Sequence, residues 1–94
     1  MATFFMFGSY SPDSLNNISR ERTAQASALI EANGGSVVSS YALLGKKDLV
    51  LIVDLPDTNA AIKTSVGLAK MLGISFTSVP AISVKEFDNL TADL

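Results

Sequence analysis

The sequence contains no cysteine and no histidine. Without cysteine, the chain has no disulfide, no thiolate metal ligand and no cysteine nucleophile. Without histidine, it lacks the commonest general base, the commonest protein metal ligand and the proximal ligand of a histidine-bound haem. We therefore expect neither a metal site nor a cofactor.

Charge is also scarce, since charged residues make up 17% of the 94 residues, against roughly 25% in an average soluble protein. The seven lysines and arginines are scattered and the net charge is −2, which gives no basic patch for nucleic acid. No apolar run approaches the roughly 20 residues of a membrane span, and the first residues lack the basic region of a signal peptide. We expect a cytoplasmic protein with neither nucleic acid nor membrane as a partner.

Hydrophobic patterning and turn residues predict four strands and two helices. The strands cover residues 3–10, 36–44, 49–55 and 74–86. One helix follows the N-cap Ser11 and stops before Gly34–Gly35, and the other follows Asp57 or Thr58 and stops at Gly73. Asn16, Asn17 and Ser19 are weak helix formers that predict a bend or break in the first helix. Residues 88–94 are predicted to be a loose tail of the single domain, residues 1–94.

The element order β-α-β-β-α-β is that of a ferredoxin-like α+β plait. Right-handed crossovers give a four-stranded antiparallel sheet of order 4-1-3-2 with both helices on one face. The central strands are then residues 3–10 and 49–55, which are apolar on both sides. Pro80 falls on an edge strand, where proline is tolerated.

The two helices leave the second face of this sheet uncovered. Its Phe, Met, Leu, Val and Ile side chains would form a patch larger than monomers usually expose. We expect a second copy of the chain to cover it and form a homodimer or larger oligomer, as in dimeric α/β-barrel assemblies. The alternative is a monomer with an exposed apolar face.

A set of short motifs, each present once, is spread over most of the chain. They are Gly34–Gly35, Gly45-x-x-Asp48, the apolar strand, Pro56–Asp57, Gly73, Arg22 and the SPDSL opening of the first helix. This set resembles the GYD domain family over residues 3 to about 87. That family is named for Gly-Tyr-Asp-type residues at the hairpin, where this chain keeps Gly45 and Asp48 and has Lys47 in place of the tyrosine. The resemblance implies a ferredoxin-like fold and no established activity.

Arg22 is the most informative polar residue. At about 100° per residue, it lies on the apolar side of the first helix, among Leu15, Ile18, Ala26, Leu29 and Asn33. A charge on the buried side needs a partner, and the hairpin residue Asp48 lies at the same end of the sheet. We predict a structural contact between Arg22 and Asp48. The alternatives are an arginine available to an anionic ligand, and one turned into solvent by a break near Ser19.

Tyr10, Lys46, Lys47 and the loop around Gly73 are predicted at the same end of the sheet, where they would form a polar mouth suited to a small anion. The alternative is that the two lysines belong to a solvated turn. Tyr41, on an edge strand, either donates a hydrogen bond or a proton within a barrel cavity or packs at an interface. The candidate ligand-binding residues are therefore Tyr10, Arg22, Tyr41, Lys47 and Asp48. No catalytic residue is assigned.

Three classes of function stay open. The sequence favours a non-catalytic homo-oligomer that binds a small ligand or regulates a partner. A cofactor-free enzyme of the dimeric α/β-barrel type, a monooxygenase or isomerase, would have to use Tyr10, Tyr41, Ser9 and Thr77. RNA binding would require aromatic and basic residues on the third strand, which instead reads LVLIVDL.

Overall fold

The computed structural model describes residues 1–94. The strands are β1 (Ala2–Tyr10), β2 (Ser36–Ala42), β3 (Leu49–Leu55) and β4 (Ile74–Ala81). The helices are α1 (Pro12–Asn16), α2 (Arg20–Ala32), α3 (Thr58–Leu72) and α4 (Val84–Thr91). The strands form one antiparallel sheet in the order β2-β3-β1-β4, which confirms the predicted ferredoxin-like topology.

The predicted signals at the helix ends act as expected. The Ser11 hydroxyl accepts a hydrogen bond from the N–H of Ser14 at 3.1 Å, and the Asp57 carboxylate accepts one from Ala60 at 2.8 Å. Gly73 ends α3 with φ at 69°, a left-handed conformation that glycine adopts without steric cost. These caps fix where the two long connections between strands turn.

The predicted break in the first helix is present. α1 ends at Asn16, and α2 begins at Arg20 after a short irregular segment. The hydroxyl of Ser19 accepts a hydrogen bond from the N–H of Arg22 at 3.2 Å, so Ser19 caps the second helix instead of continuing the first. The connection between β1 and β2 therefore contains two helices, α1 and α2.

The core lies between one face of the sheet and the helices α2 and α3. Its fully shielded side chains include Met6, Val53 and Leu55 from the central strands, Ile30 from α2 and Leu68 from α3. Alternate residues of a strand point to opposite faces, so both helices cover the same side. This confirms the predicted placement of two helices on one face.

The opposite face, called the open face below, has no helix over it. Cross-strand neighbours form three rows: Tyr41–Val50–Phe7–Thr77, Ser39–Ile52–Phe5–Val79 and Ser36–Asp54–Thr3–Ala81. The first two rows are mainly apolar, and the rings of Phe5 and Phe7 lie 6.4 Å apart between centroids. In the third row, Thr3 Oγ1 donates a hydrogen bond to Asp54 Oδ1 at 2.8 Å. The apolar patch is thus bounded by polar groups at one end.

The C-terminal segment differs from the sequence prediction. β4 ends at Ala81 rather than continuing to Glu86, and helix α4 spans most of the segment that was predicted to be a loose tail. The Ser83 hydroxyl accepts a hydrogen bond from the N–H of Glu86 at 3.0 Å, and this cap starts the helix. None of the four helices combines the length and apolar composition needed to cross a membrane.

Candidate functional site

A cleft of about 80 Å³ lies between α2 and the hairpin end of the sheet. Leu49, Leu51 and Phe76 contribute apolar side chains from the strands, and Ala26 and Ser27 line the cleft from α2. The short side chains of Ala26 and Ser27 leave space that a leucine would fill. The cleft therefore exists because α2 presents small residues to this part of the sheet.

Arg22 lies where this cleft opens to solvent. Its Nη1 donates a hydrogen bond to the carbonyl oxygen of Ser14 at 2.5 Å, and its Nη2 donates one to the carbonyl oxygen of Leu72 at 2.6 Å. Both acceptors belong to the last turns of helices, where carbonyl groups have spare capacity to accept hydrogen bonds. The Ser14 carbonyl also accepts the N–H of Asn17 at 3.2 Å. Arg22 therefore joins the C-terminal ends of α1 and α3.

The predicted contact between Arg22 and Asp48 is wrong. The carboxylate of Asp48 instead accepts a hydrogen bond from the backbone N–H of Tyr10 at 2.8 Å. The backbone N–H of Asp48 donates to the carbonyl oxygen of Gly8 at 2.9 Å. These bonds hold Asp48 against β1, while the helix carbonyls occupy Arg22. The hairpin aspartate thus anchors a strand rather than neutralising the arginine.

Of the five candidate ligand-binding residues, Tyr10 and Arg22 line the cleft. Asp48 does not line the cleft and is linked to it only by its hydrogen bond to Tyr10. Lys47 is a half-exposed hairpin residue that does not line the cleft either. Tyr41 is exposed on the open face, on the other side of the sheet. The structure therefore brings two of the candidates together and separates them from Tyr41.

The four polar residues considered for the enzyme alternative are also divided between the two faces. Ser9, Tyr41 and Thr77 follow the alternation of the open face, whereas Tyr10 lies on the cleft side. No group of three or more acidic side chains lies close enough together to hold a metal ion.

The small and hydroxyl residues of the cleft are not among the site residues predicted from the sequence. Ala26 was placed on the buried side of the helix, but the space beside it was not foreseen. Ser27 of α2 and Ser40 of β2, which both line the cleft, are not among the predicted site residues. A run of short side chains on the buried side of a helix was the available signal.

The fold is similar to that of several solved bacterial regulators. A feast or famine regulatory protein from Mycobacterium tuberculosis, complexed with L-methionine, superposes with a TM-score of 0.65 at 14% identity, over 88% of this chain and 51% of that chain. The leucine response regulatory protein of the same organism gives a TM-score of 0.58 at 15% identity, over 87% and 51%. An AsnC family transcriptional regulator from Agrobacterium tumefaciens gives 0.56 at 21% identity, over 87% and 50%. The chain thus spans about half the length of these proteins, and what it shares with them is the fold.

A family model identifies the group to which the sequence belongs. No curated protein matches the chain. The model of the GYD domain matches residues 4–91, which confirms the resemblance carried by the glycine, aspartate and helix-opening motifs. The chain belongs to the GYD domain family.

Proposed function

We propose that this chain is a non-catalytic, homo-oligomeric regulatory domain that binds a small amphipathic carboxylate in the cleft beneath α2. The observation that carries the proposal is an apolar cleft with Arg22 at its opening, where the arginine is bonded to backbone carbonyls and not to a carboxylate. The apolar walls suit an aliphatic chain, and the guanidinium suits an anionic head.

The hydrogen-bonding capacity of Arg22 supports this assignment. A guanidinium carries five N–H donors, and the two helix carbonyls each accept one of them. These carbonyls bear only partial negative charge, so a full positive charge persists at the opening of the cleft. A carboxylate would satisfy remaining donors with charge-assisted bonds that are stronger than bonds to a neutral acceptor.

The size and composition of the cleft limit the ligand. About 80 Å³ admits a short side chain rather than a large ring system, and Ser27 and Ser40 offer hydroxyl groups along the walls. Short aliphatic carboxylates and small amino acids combine these properties. The L-methionine in the complex of the M. tuberculosis regulator belongs to this chemical class, which supports the proposal by analogy.

The ligand proposal predicts that valerate binds at least about tenfold more tightly than 1-pentanol, which has a similar chain and no charge. Ala26→Leu should abolish valerate binding because the added methyl groups occupy the cleft. Isothermal titration calorimetry measures both differences.

Ala28→Leu is the matched control, because Ala28 is exposed on the same helix and its replacement leaves the cleft open. Equal valerate affinities for Ala26→Leu and Ala28→Leu would show that the ligand does not occupy the cleft.

We also propose that a second copy of the chain covers the open face. The half-buried Phe5, Phe7 and Ile52 lie side by side in its two apolar rows, and removing one such side chain from water contributes about 1.5–3 kcal/mol. A few of these side chains from each copy would stabilise a dimer without any cofactor.

The double substitution Phe7→Thr with Ile52→Thr should halve the mass of the particle in solution, since it removes the apolar centre of both rows and keeps β-branched residues in the strands. Sedimentation equilibrium measures the mass. Leu44→Thr is the control, because Leu44 is fully exposed in the hairpin and its loss should leave the mass unchanged. Unchanged mass in both variants would rule out pairing through the open face.

A further inference from the structure

Helix α4 has no partner within its own chain. Val84, Phe87 and Leu90 are 76%, 54% and 69% exposed, and α4 has no buried residue. A helix of eight residues is marginal in water, because isolated helices shorter than roughly 12–15 residues rarely hold together. The segment therefore needs a surface that covers its apolar side.

The residues of α4 define what such a surface must offer. At about 100° per residue, three apolar side chains fall on one side of the helix: those of Val84, Phe87 and Leu90. Glu86 and Asp88 flank this stripe on either side, and Lys85 is the only basic residue of the helix. A complementary surface is apolar at its centre and basic along at least one margin.

The same chain carries a surface of this kind between α3 and β4. A groove of about 240 Å³ is lined by Ile62 and Val66 of α3 and by Pro80 of β4, and both α3 side chains are exposed. Lys63 and Lys70, seven residues apart, share one exposed side of α3 next to Ile62. The groove also contains the hydroxyl groups of Ser65 and Ser78. The helix α3 contains no acidic residue, so its exposed charges beside the groove are basic.

The position of α4 in its own chain indicates which copy of the groove it occupies. No residue of α4 lines the groove of its own chain, and the apolar side chains of α4 are exposed. The groove that α4 can occupy is therefore that of another copy.

We propose that α4 of one copy lies in the groove between α3 and β4 of a second copy, and that the second copy returns the same contact. Such an exchange is closed by a two-fold axis and satisfies two unpartnered surfaces at once. It uses a different surface from the open face, so it stands or falls independently of pairing there and of ligand binding in the cleft.

Charge reversal tests this contact. One variant carries Lys63→Glu and Lys70→Glu, and the other carries Glu86→Lys and Asp88→Lys. Each variant alone should associate at least about tenfold more weakly than the unaltered chain, because like charges then face each other. Mixing the two variants should restore association, since each chain then meets a partner of opposite charge. Sedimentation velocity at several concentrations measures all three samples.

The control is Lys46→Glu with Lys47→Glu in the hairpin, far from the groove. It makes the same change in net charge as the variant with Lys63→Glu and Lys70→Glu. This variant should associate like the unaltered chain. Unchanged association in both charge-reversal variants would overturn the proposal. Weakened association that mixing does not restore would overturn it too, because a helix lying on its own chain gains nothing from a second variant.

Discussion

Replacing Arg22 with methionine should lower the free energy of unfolding by about 3 kcal/mol. Two charge-assisted hydrogen bonds of about 1.5–3 kcal/mol each are lost, and hydrogen bonds to water compensate for part of that loss. The substitution keeps an unbranched apolar stem and removes the hydrogen-bond donors. The carbonyl oxygens of Ser14 and Leu72 would lose their bonds to the guanidinium, and Ser14 would keep only its bond from the N–H of Asn17. For a domain of this size, the melting temperature should fall by roughly 10–20 °C.

Arg20→Met is the matched control. Arg20 lies two residues earlier at the exposed start of α2, and its loss should change the stability by no more than about 0.5 kcal/mol. Urea unfolding followed by circular dichroism separates the two variants. Equal stabilities would show that Arg22 does not hold the ends of α1 and α3 together.

Replacing Gly35 with alanine should destabilise the fold by about 3 kcal/mol, because there is no room for a side chain at this position. A Cβ atom at Gly35 would overlap the backbone carbonyl oxygen of Asp54 and approach Leu55 Cδ2 to 2.6 Å. The neighbouring pair Ser36 and Asp54 begins the alignment of β2 with β3. The backbone of β2 would have to move away from β3 to accept the methyl group.

Gly45→Ala provides the comparison, since a Cβ atom at Gly45 meets nothing within 4 Å. We expect its stability to stay within about 0.5 kcal/mol of the unaltered chain. Thermal unfolding followed by circular dichroism gives both values. A Gly35→Ala variant as stable as Gly45→Ala would contradict the close approach of the two strands.

The sheet could be predicted from the sequence because its signals are local and mutually consistent. Strands that are apolar on both sides occupy the centre, as β1 and β3 do, and Pro80 lies on the edge strand β4. Ser19 broke the first helix as its weak propensity suggested. Each of these features follows from a residue's own conformational preference, which does not depend on distant partners.

Helix α4 was missed because alternating residues before it extended the apparent strand. A sufficient signal was nevertheless present, since Ser83 and Glu86 have the spacing of a capping box. Val84, Phe87 and Leu90 also have helical spacing. The β-branched residues favour a longer strand, whereas the cap at Ser83 starts a helix. The cap therefore sets the end of β4.

The partner of Arg22 could not be predicted for a different reason. A sequence shows which side chains can accept a hydrogen bond, and the carboxylate of Asp48 was the predicted acceptor near the hairpin. The actual acceptors are backbone carbonyls of Ser14 and Leu72, which become available only where helices end in space. The cleft likewise depends on how α2 sits above β2, a distance that no local pattern fixes.

The most direct test of the central claim, that the cleft beneath α2 is a ligand site, is an NMR titration of ¹⁵N-labelled protein with valerate. We expect the largest saturable changes in chemical shift at amides that surround the cleft, among them those of Tyr10, Ala26 and Ser40. Amides at the opposite end of the sheet, such as those of Thr3 and Ala81, should change little. No saturable change at millimolar valerate, or the largest changes at that opposite end, would contradict the claim.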